Sequence, residues 1–388
     1  MYRIGEEEIQ AVARVIRSKN LFKTTGTETM DCEKELREKF GVNHSILMTS
    51  GKAALISALT ALGVGPGDEV IVPAYTYIAT AIAVTAVGAI PVIAEIDETL
   101  TIDPADVEKK ISKYTKAIIP VHMQGLPCDM DALCDIAKKH GLFIVEDACQ
   151  ADGGSYKGER LGTIGEIGAL SFNHYKIITS GEGGALLTND RVLYENALIF
   201  QDSSAIAFFG DQLQGITQPQ FCGNEYRTNE ITAAILREQL KKLDGILFDL
   251  RKNKGLIMQT LRDDFNFIPS NDIVGDCGVM LAFSFETRDA AQRFIKSAEA
   301  DGIYSVSPID TGKHVYTHWT PIIEKRGAFN PKMDPFKMEE NQALNFNCTP
   351  DACPKTLDIL AKTVYISVDP DWSDDDIAKM IELIKRWR

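Results

Sequence analysis

Long uninterrupted apolar runs are missing from this chain of 388 residues, and so is any excess of basic charge. The longest apolar stretch, from Ile78 to Ala94, is broken by Thr80, Thr85, Gly88 and Pro91, so it reads as a helix followed by a strand and not as a membrane span. The formal net charge of −14 speaks against a nucleic-acid surface, which needs clustered Lys and Arg, while leaving room for a local basic pocket. Eight cysteines, at 32, 128, 134, 149, 222, 277, 348 and 353, form no Cys-x-x-Cys pair, and six histidines lack metal-ligand spacing. No metal is therefore expected. The first eight residues carry no apolar signal core. With the scattered cysteines, that points to reduced thiols and a cytoplasmic location. Gly63, Gly65 and Gly67 punctuate a turn without making a dinucleotide fingerprint, and no internal repeat is visible.

What the chain does contain is ordinary for a soluble globular enzyme: 45% hydrophobic and 25% charged residues, in a length that can bury a large core and divide into two domains. Strand candidates near 45–48, 69–72, 90–94, 117–120, 143–145, 169–172 and 185–188 alternate with helical stretches. That alternation predicts an α/β fold with a mostly parallel sheet flanked by helices. From Arg227 to about Lys254, Ile231, Ala234, Ile235, Leu240, Leu243 and Leu247 recur at helical spacing and lead toward a second unit. We expect a large domain over 1–254 and a smaller C-terminal α/β domain over 255–388, ending in a helix from Asp374 capped by Ser373. Residues 201–220 read as a long loop, a candidate substrate lid or dimer contact.

Four places carry chemistry. Lys176 follows an apolar strand signal and precedes Gly181-Glu-Gly-Gly184, where an amine could form an imine with a carbonyl. Asp147 ends the run Phe143-Ile-Val-Glu-Asp147, at the carboxyl end of a buried strand where open α/β sheets bind ligands. An aspartate there can hold a heterocyclic N–H, as pyridoxal phosphate requires. Ser50-Gly51 joins a strand to an alanine-rich helix whose first amides suit a phosphate. Tyr75 and Tyr77 open a helix after the next strand and offer a ring to stack on a planar group. Each also has a plainer reading: solvated lysine, helix N-cap, nonspecific small-residue turn, core tyrosine.

Together these motifs resemble the pyridoxal-phosphate-dependent sugar aminotransferases of the DegT/DnrJ/EryC1/StrS family, within the type I aminotransferase fold. The resemblance runs from about Ile4 into the C-terminal region. Its markers are Ser50-Gly-Lys-Ala-Ala-Leu55, Pro73-Ala-Tyr-Thr-Tyr-Ile-Ala-Thr-Ala81, Pro120-Val-His-Met-Gln-Gly125, Glu146-Asp-Ala-Cys-Gln150, Ser171-Phe172 with Lys176 and Gly181-Glu-Gly-Gly184, and Gly223-Asn-Glu-Tyr-Arg227. It implies that Lys176 forms the imine with pyridoxal 5′-phosphate and shuttles the proton, and that Asp147 pairs with the ring nitrogen. It implies further that Gln150 lies near the ring hydroxyl and that Tyr77 stacks on the ring. Ser50, the Gly51 and Lys52 amides and the Ser171 hydroxyl would hold the phosphate. Asn224 would reach the phosphate of a neighbouring subunit, so a homodimer with shared active sites is expected. Lys313, His314 and His318 align with the substrate-facing part of the small domain.

The sequence departs from the family pattern at Lys52, where threonine is usual, at Asp152, where histidine is frequent, and at Asn173-His-Tyr175 before the lysine. A branch of the family with histidine in place of the lysine performs deoxygenation; Lys176 argues against it, although His174 lies close in sequence. The implied activity is transfer of an amino group, from glutamate, to a keto-sugar, nucleotide-linked or free. The alternatives are a dehydratase on the same cofactor and a non-enzymatic regulator of the same fold.

Overall fold

The computed structural model describes residues 3–203, 215–344, 346 and 348–387. Its larger sheet is built from β1 (His44–Met48), β2 (Glu69–Pro73), β3 (Ile90–Ala94), β4 (Thr115–Ile118) and β5 (Phe143–Asp147). After a short hairpin, β6 (Ser155–Tyr156) and β7 (Glu159–Arg160), it is completed by β8 (Ile167–Ser171) and β9 (Gly184–Thr188). The spatial order is β1-β9-β8-β5-β4-β2-β3. Strands β8, β5, β4, β2 and β3 pair in parallel, and β9 runs against both of its neighbours. The alternating pattern in the sequence thus becomes the expected mostly parallel sheet. Its strands read as continuous apolar runs because both faces are covered: Val70, Ile71 and Val72 have no exposed surface.

The covering helices are α1 (Glu6–Ser18), α2 (Glu28–Phe40), α3 (Gly51–Ala61), α4 (Ala79–Ala86), α5 (Pro104–Lys110), α6 (Met130–His140) and α7 (Arg191–Gln201). Past Lys52, helix α3 is predominantly apolar and is buried from Ala53 to Leu59, as befits a helix wedged between a sheet and other helices. Helix α4 begins at Ala79, so Tyr75 and Tyr77 precede it. The reason is tertiary. Residues 74–76 are held out of the helix because the Thr76 N–H donates to the His314 carbonyl, and Ala74 accepts from the Tyr316 N–H.

Helix α8 (Glu230–Leu261) crosses from the first sheet to a second one and passes residue 254 without a break. That second sheet has the order β10 (Asn266–Phe267), β11 (Met280–Ser284), β12 (Thr363–Ser367), all antiparallel. Helices α9 (Arg288–Ala300), α10 (Thr320–Ile323), α11 (Pro354–Ala361) and α12 (Asp374–Arg386) accompany it. Ser373 caps α12 in a capping box with Asp376, and Ile377, Met380 and Ile384 bury its apolar face. Glu95, just past β3, accepts from the N–H groups of Lys355 (3.1 Å) and Thr356 (2.7 Å) at the start of α11. This carboxylate at a helix N-terminus fastens the second unit to the first. Within the expected loop at 201–220, residues 204–214 lie outside the described residues. No helix among the described residues is long and apolar enough to cross a membrane.

Candidate functional site

Asp147 is the last residue of β5 and is 5% exposed. Its carboxylate is already partly engaged: the Thr80 hydroxyl donates to Oδ2 at 2.8 Å, and the Cys149 N–H donates to Oδ1 at 3.2 Å. The Thr80 hydroxyl lies 2.8 Å from that of Thr76, four residues earlier and ahead of the helix. Each carboxylate oxygen can accept twice, so these bonds orient the group and leave lone pairs for another N–H. Neither threonine stood out in the sequence. Their spacing within Pro73–Ala81, four apart at the mouth of a helix, is the signal that points to them.

The neighbouring residue anchors the strand end. Glu146 is fully buried and accepts from the N–H groups of Gly162 (2.8 Å), Ile164 (2.6 Å) and Gly165 (2.7 Å), with His122 Nε2 at 3.1 Å. Burial opposes a proton on the His122 ring, whereas the Cys128 thiol and Glu146 favour one. Together these raise the ring to about 10, but the Cys128 N–H donates to Nδ1 at 3.1 Å, which a doubly protonated ring could not accept, so the geometry assigns Nε2–H as the donor to Glu146.

The start of α3 lies beside this strand end. Ser50 caps the helix by accepting from the Ala53 N–H at 3.1 Å, which places the Gly51 and Lys52 amides at the helix's open end. A Cβ on Gly51 would sit 2.5 Å from Cys149 Sγ and 2.9 Å from Ser171 Cβ, so only glycine fits there. One on Gly184 would sit 2.3 Å from the Ser50 carbonyl carbon. The ends of β5 and β8 and the N-terminus of α3 thus converge, with buried Ser171 among them and the Lys52 side chain exposed. Cys149 fills the space between, and burial and Asp147 push its thiol well above the usual range.

Lys176 lies in the turn after β8, its N–H bonded to the Asn173 carbonyl, and its side chain is partly buried. Its charge is felt at Cys149, Asp152 and His314, so it belongs to the same cluster. Gln150 uses Oε1 to accept from the Gln124 N–H at 3.2 Å, leaving its NH2 as the available donor. Gln124 holds φ 54, a left-handed backbone that a non-glycine residue adopts only under tertiary constraint. Tyr77 is half exposed and meets the His314 ring edge-on at 5.9 Å between centroids. Burial, and then the charges of Lys176 and Lys313, pull the His314 imidazole down to about 4. His314 is thus brought into the site, with Lys313 exposed beside it. His318 is exposed on the adjoining 3-10 turn, with its N–H on the Val315 carbonyl. His174 is exposed and packs edge-on against the ring of Tyr175.

Asn224 belongs to a segment paired with the edge of the sheet: the Thr49 N–H donates to the Tyr226 carbonyl at 2.8 Å, and Met48 bridges Arg227. Its own N–H is taken by the Phe200 carbonyl, and its side chain faces outward. This set of groups fits a phosphorylated heterocycle bearing a carbonyl: open helix amides and a hydroxyl for the phosphate, a buried carboxylate for a ring N–H, and an amine within the same cluster.

Comparison with known proteins agrees. Residues 2–308 match the model of the DegT/DnrJ/EryC1/StrS aminotransferase family. The chain belongs to the DegT/DnrJ/EryC1/StrS aminotransferase family. Membership makes it an enzyme of the transaminase type. Among its relatives, the spore coat polysaccharide biosynthesis protein SpsC of Bacillus subtilis (strain 168) is 32% identical over 392 aligned residues, covering 98% of this chain and 94% of SpsC. GDP-perosamine synthase of Escherichia coli O157:H7 is 40% identical over 331 residues, 81% of this chain and 87% of that protein. The crystal structure of S. venezuelae DesV in complex with a ketimine intermediate matches with a TM-score of 0.77 and 30% identity, covering 98% of this chain and 94% of that one.

Proposed function

We propose that this DegT/DnrJ/EryC1/StrS family member is a pyridoxal 5′-phosphate-dependent aminotransferase that moves an amino group from glutamate to a keto-sugar. The observation that carries the reading is the meeting of Lys176, Asp147 and the open end of α3 at the carboxyl edge of one sheet. Bound there, the cofactor supplies an electron sink for charge at the carbon that loses its proton. The chain supplies the rest. Asp147, oriented by Thr80 and the Cys149 N–H, holds the ring N–H. Gly51, Lys52 and Ser171 hold the phosphate by backbone amides and a hydroxyl, with Ser50 fixing the helix start. Gln150 offers its NH2 to the ring oxygen, and Tyr77 covers the ring face. Lys176 Nζ is the tether and the group that takes and returns the proton.

His314 meets the sugar as a neutral ring able to donate and accept, flanked by Lys313, with His318 further out. A GDP-linked product in the perosamine synthase relative supports a nucleotide-linked substrate here. The outward side chain of Asn224 supports a second copy of the chain completing the site, hence a homodimer.

Borohydride treatment of the cofactor-loaded protein, followed by peptide mapping, should find the adduct on the peptide containing Lys176. Lys176→Ala should bind cofactor yet release no 2-oxoglutarate from glutamate. An adduct on another lysine, or turnover in Lys176→Ala, would overturn the assignment. Product formed by the native protein without 2-oxoglutarate would move the reaction to the dehydratase class.

A further inference from the structure

Asp152 stands apart from the acids that the proposed chemistry uses. It has no exposed surface, and among the described residues neither carboxylate oxygen has a hydrogen-bond partner. The Ser171 N–H faces it without closing a hydrogen bond. The charged groups around it are Lys176, from the turn after β8, which attracts, and Asp147, from the end of β5, which repels. The charge of Asp152, were it present, would also be felt by the thiols of Cys149, in the loop after β5, and Cys277, in the segment before β11. Burial outweighs the attraction of Lys176 and pushes the carboxyl well above the usual carboxylate range. An ionised carboxylate in that position would give up its hydration and receive no hydrogen bond in return, so the group takes a proton instead.

We propose that Asp152 is a positioning residue that stays a neutral carboxylic acid beside Lys176, so that Asp147 is the site's standing negative charge and the lysine amine remains free to take up protons. The inference rests on the reading of Lys176 as tether and proton carrier. The chemistry explains the need. A second carboxylate facing Lys176 would hold its amine as ammonium, which has no lone pair with which to attack a carbonyl or accept a proton. Because it is protonated, the acid occupies the space without supplying that charge.

The test uses the full chain stripped of cofactor, native and Asp152→Asn, unfolded in urea between about pH 5 and 8. An unfolded Asp ionises near pH ~4, so the native chain must take up a proton to fold. The ratio of the folding constant of Asp152→Asn to that of the native chain should grow about tenfold per pH unit. In parallel, modification of Lys176 by trinitrobenzenesulfonate, read by peptide mapping, should follow the same pH curve in both proteins. A ratio that is flat with pH, or a lysine in Asp152→Asn that reacts about one pH unit lower, would show a carboxylate at this position and overturn the proposal. If Asp152→Asn does not fold, infrared spectra of the native chain at neutral pH decide: a protonated-carboxyl stretching band is expected, and its absence overturns the proposal. Borohydride mapping of the loaded protein tests the tether separately. Loss of that adduct, with the pH-dependent ratio intact, would remove the role given to Lys176 and leave the charge state of Asp152 standing.

Discussion

Replacing Glu146 by glutamine keeps the shape of the side chain and changes only what its end can accept. Oε1 receives the Ile164 and Gly165 N–H groups, and Oε2 receives the Gly162 N–H and faces His122 Nε2. The new NH2 must occupy one of those two positions. On either side it meets two donors, because His122 carries its ring proton on Nε2 while Nδ1 accepts from Cys128. Two hydrogen bonds to a buried charged acceptor are lost, at about 1.5–3 kcal/mol each, so Glu146→Gln should destabilise the chain by roughly 3–6 kcal/mol. Urea unfolding of the cofactor-free protein at neutral pH measures this directly. The damage should also slacken the strand end beside it, so cofactor affinity should fall even though Glu146 is assigned no contact with the cofactor. A stability loss below about 1 kcal/mol would mean that the turn at 162–165 holds itself together and that Glu146 does not anchor it.

Two other perturbations probe the site from different sides. In Gly51→Ala the new methyl meets Cys149 Sγ and Ser171 Cβ, so stability should fall by about 1–3 kcal/mol from overpacking, and absorbance titration should show weaker cofactor binding. Adding Cys149→Ala removes one of the two collisions and should recover part of the loss; a Gly51→Ala protein that is more stable and binds normally, as helix propensity alone would favour, contradicts the close approach. His314, with a folded pKa of about 4, stays neutral while the unfolded ring takes a proton below pH ~6.5, so it costs nothing at pH 7 and up to about 3 kcal/mol of stability as pH falls from ~6.5 to ~4. His314→Asn should therefore narrow the drop in urea midpoint over that interval, and parallel curves for the two proteins would mean that the ring titrates normally.

The sheet was legible in the sequence because a parallel strand covered on both faces leaves an unbroken apolar run, and each of the seven runs became a strand shifted by at most two or three residues. Lys176 and Asp147 were legible for a related reason: they stand where such runs stop. Thr76 and Thr80 were not, since their hydroxyls gain meaning only when α4 brings Thr80 to Asp147 and the preceding segment sets Thr76 beside Thr80. The start of α4 was misjudged because nothing local announces that residues 74–76 pair with 314–316. His314 stood out only through the family resemblance, and the same distant pairing carries it to Tyr77. Asp152 was visible as a departure from the family pattern, but its lack of hydrogen-bond partners among the described residues is a property of packing that no motif encodes.

The pairing of 74–76 with 314–316 makes one rim of the site a main-chain structure. Two backbone hydrogen bonds, from the Thr76 N–H to the His314 carbonyl and from the Tyr316 N–H to the Ala74 carbonyl, bind the far half of the polypeptide to the near half at that point. Under the proposed role of His314, exchanging side chains at 313 or 314 would retune which sugars are welcomed while the span of the opening stays put. Evolution of new specificity on this scaffold therefore has a place to work where the frame is already bolted.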